Sequence, residues 1–167
     1  DVRPPWSFQT DGRNNQNDDV LNGGDGDDRL TGGEGNDTVS GGAGQDFFRV
    51  WTLPGDTSAD TLTDFSTGLG GDQLEFPTWG RFTNYFGGNP FATGHARLTQ
   101  SGADTWLELD TDGPGAVAGF QRAAILNNVG KGSLVAANFA GSFDPSAIVG
   151  SEGPDSLSGT TGNDEIN

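Results

Sequence analysis

Four aspartates stand nine residues apart. Asp19, Asp28, Asp37 and Asp46 keep that spacing without a slip, and two places after each comes an apolar residue: Leu21, Leu30, Val39 and Phe48. A fixed period of this kind points to a solenoid, whose short units bury their apolar faces only by stacking on their neighbours. The units are 14–22 (NNQNDDVLN), 23–31 (GGDGDDRLT), 32–40 (GGEGNDTVS) and 41–49 (GGAGQDFFR). Two more end the sequence, 150–158 (GSEGPDSLS) and 159–167 (GTTGNDEIN), with Asp155 and Asp164, and Leu157 and Ile166, in the same columns.

Each column has a chemical role. Glycines at the first, second and fourth places remove Cβ atoms and allow positive φ, so successive carbonyls can turn toward one point. Aspartate at the sixth place adds a carboxylate there. A donor set made only of oxygens suits Ca²⁺, which takes six to eight ligands in flexible geometry, and does not suit zinc or copper. The last three residues read polar, apolar, polar, a minimal strand with one side chain pointing inward. In the first unit Asn14, Asn15 and Asn17 replace the glycines. Asparagine tolerates the left-handed region better than other side chains do, so this unit reads as a leading coil of weaker fit.

The units resemble the repeats-in-toxin (RTX) nonapeptide, GGxGxDxUx with U a large apolar residue, over residues 14–49 and 150–167. That resemblance implies a parallel β-roll in which two nonads form one 18-residue coil and Ca²⁺ lies between loops one coil apart. It implies one ion among Asn15, Asn17, Asp19, Gly32, Glu34 and Asp37, and a second among Gly24, Gly26, Asp28, Gly41, Ala43 and Asp46. Half-sites at Gly33, Gly35 and Asp37, and at Gly42, Gly44 and Asp46, face whatever follows. Asp155 and Asp164 would serve the terminal units in the same way.

After Phe48 the period breaks, and residues 50–76 read as loop, strand, loop, strand. The run Asp60 to Phe65 (DTLTDF) resembles the segment that closes the roll in serralysin C-terminal domains and alginate epimerase R-modules. That likeness would make Asp60 and Asp64 ligands completing a half-site; the alternative is two solubilising strand ends. Residues 77–95 are loop-like, and 96–100, 105–110 and 120–126 are expected as antiparallel strands, with a turn at 101–104. The run through Leu134, Val135 and Phe139 resembles the ends of domains that follow RTX repeats.

Other chemistry is thin. No nucleophile elbow, zinc-protease helix motif or phosphate loop occurs. The only histidine, His95, reads as structural despite Ser101 and Asp104 nearby. Glu108, Asp110, Asp112 and Gly113 mimic the start of an EF-hand loop, but Gly119 stands where the final glutamate belongs. Trp6, Trp51, Trp79 and Trp106 are expected in the core rather than in a sugar-binding groove.

Composition fits a fold conditional on cations. The 167 residues carry a formal charge of −16, and Leu, Ile, Val and Phe number only 34, close to the border of disorder. Residues 14–49 alone hold eight acids against two bases, a repulsion that divalent cations relieve. The same charge argues against nucleic acid or anionic lipid as a partner. No apolar run approaches the ~20 residues of a membrane span. Zero cysteines exclude disulfides and thiolate metal sites.

The expectation is therefore an all-β chain, a parallel β-roll followed by an antiparallel β segment capping it. It divides into a leading segment (1–13), the roll (14–49), the closure and antiparallel segment (50–149) and the start of a second array (150–167). By resemblance it is a non-catalytic calcium-binding module of a larger secreted bacterial protein, exported through a type I system, unfolded at low calcium and folding outside the cell. Two other readings accompany this one: binding of an acidic polysaccharide such as alginate, with Arg81, Arg97 and Arg122 as attracting charges, and assembly with another copy through the terminal repeats.

Overall fold

The computed structural model describes residues 8–10, 18–50, 52, 57–76, 82–115, 119–141 and 143–146. Among the described residues ten strands carry the fold: β1 (Phe8–Thr10), β2 (Val20–Asp25), β3 (Arg29–Thr31), β4 (Thr38–Ala43), β5 (Phe47–Arg49), β6 (Asp60–Leu62), β7 (Gln73–Glu75), β8 (Ala96–Ser101), β9 (Asp104–Leu109) and β10 (Gln121–Leu126). They form two sheets, β1-β3-β5-β7 and β2-β4-β6-β10-β9-β8.

From β2 to β7 the chain visits the two sheets alternately, so each strand pairs in parallel with the strand one coil later. Leu21 lies beside Val39 and Leu30 beside Phe48, which is the expected 18-residue coil. Val39 then pairs with Leu62 and Phe48 with Leu74. The next coil is thus longer, yet Leu62 and Leu74 still follow an aspartate by two places. Leu21, Leu30, Val39, Phe48, Leu62 and Leu74 are all buried between the sheets, each contributing roughly 1.5–3 kcal/mol.

The antiparallel strands fall close to their expected positions. β8 and β9 form a hairpin across Ser101 to Asp104, with Gly102 at φ 63° in the turn. β10 returns antiparallel to β9, with an irregularity between Arg122 and Ala124, and lies parallel to β6, Leu126 beside Leu62. On the opposite sheet Phe139 bridges to Leu74, and the Ala140 N–H donates to the Leu74 carbonyl at 2.9 Å. The C-terminal part therefore adds three strands to one sheet of the roll and a single bridge to the other. One apolar core runs without a break from Leu21 through Leu107, Leu109 and Leu126 to Phe139. Among the described residues no helix is long and apolar enough to cross a membrane.

Candidate metal centre

The loops between strands stack on two sides of the roll. On one side lie loops 23–28, 41–46 and 63–72; on the other lie 32–37 and the described parts of the loops before β2 and before β6. The structure separates the glycines, alike in the sequence, into two roles. Second- and fourth-place glycines have positive φ, 100° and 108° at Gly24 and Gly26 and 98° and 142° at Gly42 and Gly44. First-place glycines do not; they are short of space. A Cβ on Gly41 would come within 2.2 Å of Asp46 Oδ2, one on Gly32 within 2.1 Å of Asp37 Oδ2, and one on Gly23 within 2.6 Å of Asp28 Oδ2. Each aspartate folds back over the first residue of its own unit.

Between loops 23–28 and 41–46 the backbones approach closely. Gly24 O and Gly26 O lie where a Cβ on Gly42 or Gly44 would, at 2.1 and 2.3 Å, and Gly41 O lies 2.5 Å from a Cβ on Gly23. Ala43 O accepts the Gly26 N–H at 2.7 Å. The Asp28 N–H donates to Asp46 Oδ1 at 2.9 Å. Asp46 is fully buried, and its Oδ2 has no hydrogen-bond partner. Burial first, then the charges of Asp72, Asp28 and Asp64, push the Asp46 carboxyl up to about 6 against the opposing pull of the Asp28 N–H.

On the other side the aspartate geometry recurs. Asp37 Oδ1 accepts the Asp19 N–H at 2.8 Å, and Asp37 Oδ2 is buried without a hydrogen-bond partner. Gly33 and Gly35 have φ of 113° and 125°, and Glu34 between them is half-buried.

A calcium ion fits the donors of these loops. Among the described residues no three His, Asp or Glu side chains come together, so a site built from side chains alone is absent there. The loops instead offer closely stacked backbone carbonyls and a buried carboxylate oxygen without a hydrogen bond, the hard donors that calcium takes. A buried anion left in this state is costly without a cation.

The RTX calcium-binding nonapeptide repeat family matches residues 14–48 and 148–167, with four copies. The chain carries RTX calcium-binding repeats. No curated protein sequence matches it. Among solved structures it is similar to the solution structure of the AlgE6R3 subunit from the Azotobacter vinelandii mannuronan C5-epimerase, at 24% identity and a TM-score of 0.51, covering 89% of this chain and 82% of that one. This likeness shows that the two chains share a fold.

Of the two aspartates expected to follow the RTX units, Asp60 takes the sixth-place position after Asp37, accepting the Asp37 N–H at 3.2 Å. Asp64 does not join a carboxylate column. Its oxygens accept the N–H groups of Gly41 and Gly42, both at 2.9 Å, and the Ser40 hydroxyl. Asn15, Asn17, Asp155 and Asp164 lie outside the described residues.

Two features escaped the sequence reading. Asp72 is the sixth-place residue after Asp46, whose N–H it accepts at 2.9 Å; the signal was the tail Asp72-Gln73-Leu74-Glu75, which keeps the aspartate and apolar columns after the glycines are lost. Fifth-place side chains tie the stack in the opposite direction. Asp18, Asp27 and Asn36 accept the N–H groups of Asn36, Gln45 and Ala59, the fifth-place residues of the next coil and the residue before Asp60.

The remaining candidates resolve into structure. His95 bonds through its ring nitrogens to Thr93 Oγ1 and Thr83 O and packs on Phe82 and Tyr85; neither bond reaches Ser101 or Asp104. Asp110 accepts the Gly113 N–H at 3.0 Å in the turn after β9. Glu108 accepts two bonds from Arg97 and one from Thr99. Trp106 corrects the expectation of a core position: it is half-buried on the outer face, with the Arg122 guanidinium 3.5 Å from its ring centre. Its neighbours along the strand, Thr105 and Leu107, take the inward places. Trp6, Trp51, Trp79 and Arg81 lie outside the described residues.

Proposed function

We propose that the chain is a non-catalytic, calcium-coupled folding module of a secreted bacterial protein, passing through a type I exporter unfolded and winding outside the cell. The observation that carries this reading is the buried Oδ2 of Asp46, without a hydrogen bond, between closely stacked glycine loops. Gly24, Gly26, Asp28, Gly41, Ala43 and Asp46 would hold one ion, and Asn15, Asn17, Asp19, Gly32, Glu34 and Asp37 a second. Bound calcium supplies the positive charge that a chain of formal charge −16 lacks. The residues do the rest: the glycines bring the loops together, the fifth- and sixth-place side chains fix their spacing, and the apolar column closes behind them. Far-UV circular dichroism of the purified chain should show a rise in β-signal between chelator and millimolar CaCl₂. Identical spectra would sink the proposal.

A second reading, binding of an acidic polysaccharide, draws on one surface. Arg97 and Arg122 stand opposite Glu108 from either side, and Arg122 covers Trp106. This is a cationic and aromatic patch on an acidic molecule, suited to carboxylated sugars. The similar AlgE6R3 structure, from a mannuronan epimerase, agrees with that chemistry. Titration with alginate oligomers at fixed calcium tests it; no saturable binding, or binding unchanged in Arg97→Ala with Arg122→Ala, would remove this reading.

A further inference from the structure

We infer that the last turn of the roll beside loop 41–46 is closed without calcium, and that it forms an anchor which keeps its fold when the ion is withdrawn. The inference rests on the calcium reading of the earlier loops. By the repeat rule, Gly42, Gly44 and Asp46 should share an ion with the next loop on that side, 63–72. The residues of that loop do not fit the ion.

Asp64 stands opposite Gly41, since Val39 pairs with Leu62, and its carboxylate is spent on the N–H groups of Gly41 and Gly42 and the Ser40 hydroxyl. Asp72 accepts the Asp46 N–H through Oδ1 at 2.9 Å and the Ser66 N–H through Oδ2 at 2.8 Å. Asp37 and Asp46, in the earlier loops, leave Oδ2 without a hydrogen bond. Both oxygens of the Asp72 carboxylate are thus engaged by backbone N–H groups.

The carbonyls of the loop are engaged too. Ser66 O accepts the Asp72 N–H at 2.8 Å, Gly68 O the Gly71 N–H at 3.2 Å, and Gly71 O the Gln45 Nε2 at 2.8 Å. Asn138, fully buried, then fills the loop from the C-terminal side: its Nδ2 donates to Asp72 O at 2.9 Å and its Oδ1 accepts the Gly68 N–H at 2.9 Å. One neutral amide, with donors and an acceptor on a single plane, thus closes the loop on the side away from loop 41–46. Phe139, next in sequence, bridges to Leu74 in the sheet, so this plug is fixed to the core.

Hydrogen exchange read by mass spectrometry on the full chain, in EGTA and in millimolar CaCl₂, tests the anchor. Peptides covering 60–76 and 121–140 should be protected in both, and those covering 18–50 only with calcium. Protection of all peptides appearing together at one calcium concentration would overturn the inference. Asn138→Ala should lose the EGTA-resistant protection of 60–76; retention overturns the role of the plug. Asp28→Asn should keep that protection and shift only the calcium midpoint of 18–50, so its loss in this variant also counts against the anchor. If 60–76 stays protected in EGTA while 18–50 never responds to calcium, the anchor stands and the calcium reading of the earlier loops fails.

Discussion

The backbone N–H of Asp28 donates to Oδ1 of Asp46, eighteen residues on, at 2.9 Å, while Oδ2 of the same carboxylate is buried against Gly41 with no hydrogen bond. One oxygen sets the spacing of the coils and the other is left for a cation. Asp46→Asn separates these two roles, because an amide oxygen can still accept the N–H. The variant should bind calcium about tenfold or more weakly, yet be at least as stable as the parent in EGTA, since no charge is then buried. Isothermal titration together with thermal melts in both conditions checks the pair of outcomes.

Acid should act oppositely with and without calcium. The folded-state Asp46 carboxyl lies near 6, above its ordinary 3.8, and burial raises Asp72 as well. A raised carboxyl favours the folded chain below the unfolded value, and this contribution is lost as pH rises through the folded one. In EGTA, thermal stability should therefore increase from pH 7.5 to pH 4.5. In calcium it should fall across the same range, because protons displace the ion from the carboxylates.

Space, rather than backbone freedom, governs the first-place glycines. Gly41→Ala would bring Cβ within 2.2 Å of Asp46 Oδ2 and 2.9 Å of Phe48. A loss of about 1–3 kcal/mol in saturating calcium is expected, with weakened calcium binding. Gly130→Ala is the control, since nothing lies within 4 Å of its Cβ and its φ is not positive; urea unfolding should leave it within about 0.5 kcal/mol of the parent.

Glu108 neutralises the cationic patch of the antiparallel strands. Burial raises its carboxyl, but the bonds from Arg97 and Thr99, with the charges of Arg97 and Arg122, outweigh that and hold it below the ordinary 4.5. Its contribution is present above that value and is lost as pH falls through the lower folded one. Glu108→Gln should cost about 1–3 kcal/mol and, by uncovering both arginines, strengthen retention on an alginate column at fixed calcium. Unchanged or weaker retention would count against the patch as a polysaccharide surface.

The coil was legible because its period is local. Column, loop and strand all repeat within nine residues, and Leu21, Leu30, Val39 and Phe48 reached the core as their spacing required. The next coil was half legible: the tails at Asp60 and Asp72 survive, but without glycines they carry no obvious loop. The pairing of β10 with β6 and the seating of Asn138 under loop 63–72 join residues some sixty to seventy positions apart, and no short-range pattern encodes such contacts. Sequence also merged two kinds of glycine, since absence of Cβ reads the same whether it serves a φ angle or a carboxylate.

The alternation of β2 to β7 between the two sheets makes length a digital quantity in the roll. Duplicating eighteen residues would insert one full layer, lengthening the roll by about 4.8 Å and leaving every other strand in its sheet. Duplicating nine would send each later strand to the wrong sheet, and β10 and Phe139 would meet the wrong neighbours. Gene-level growth of such a chain should therefore proceed in even numbers of repeats, with the C-terminal addition passed on unchanged as the end of the stack.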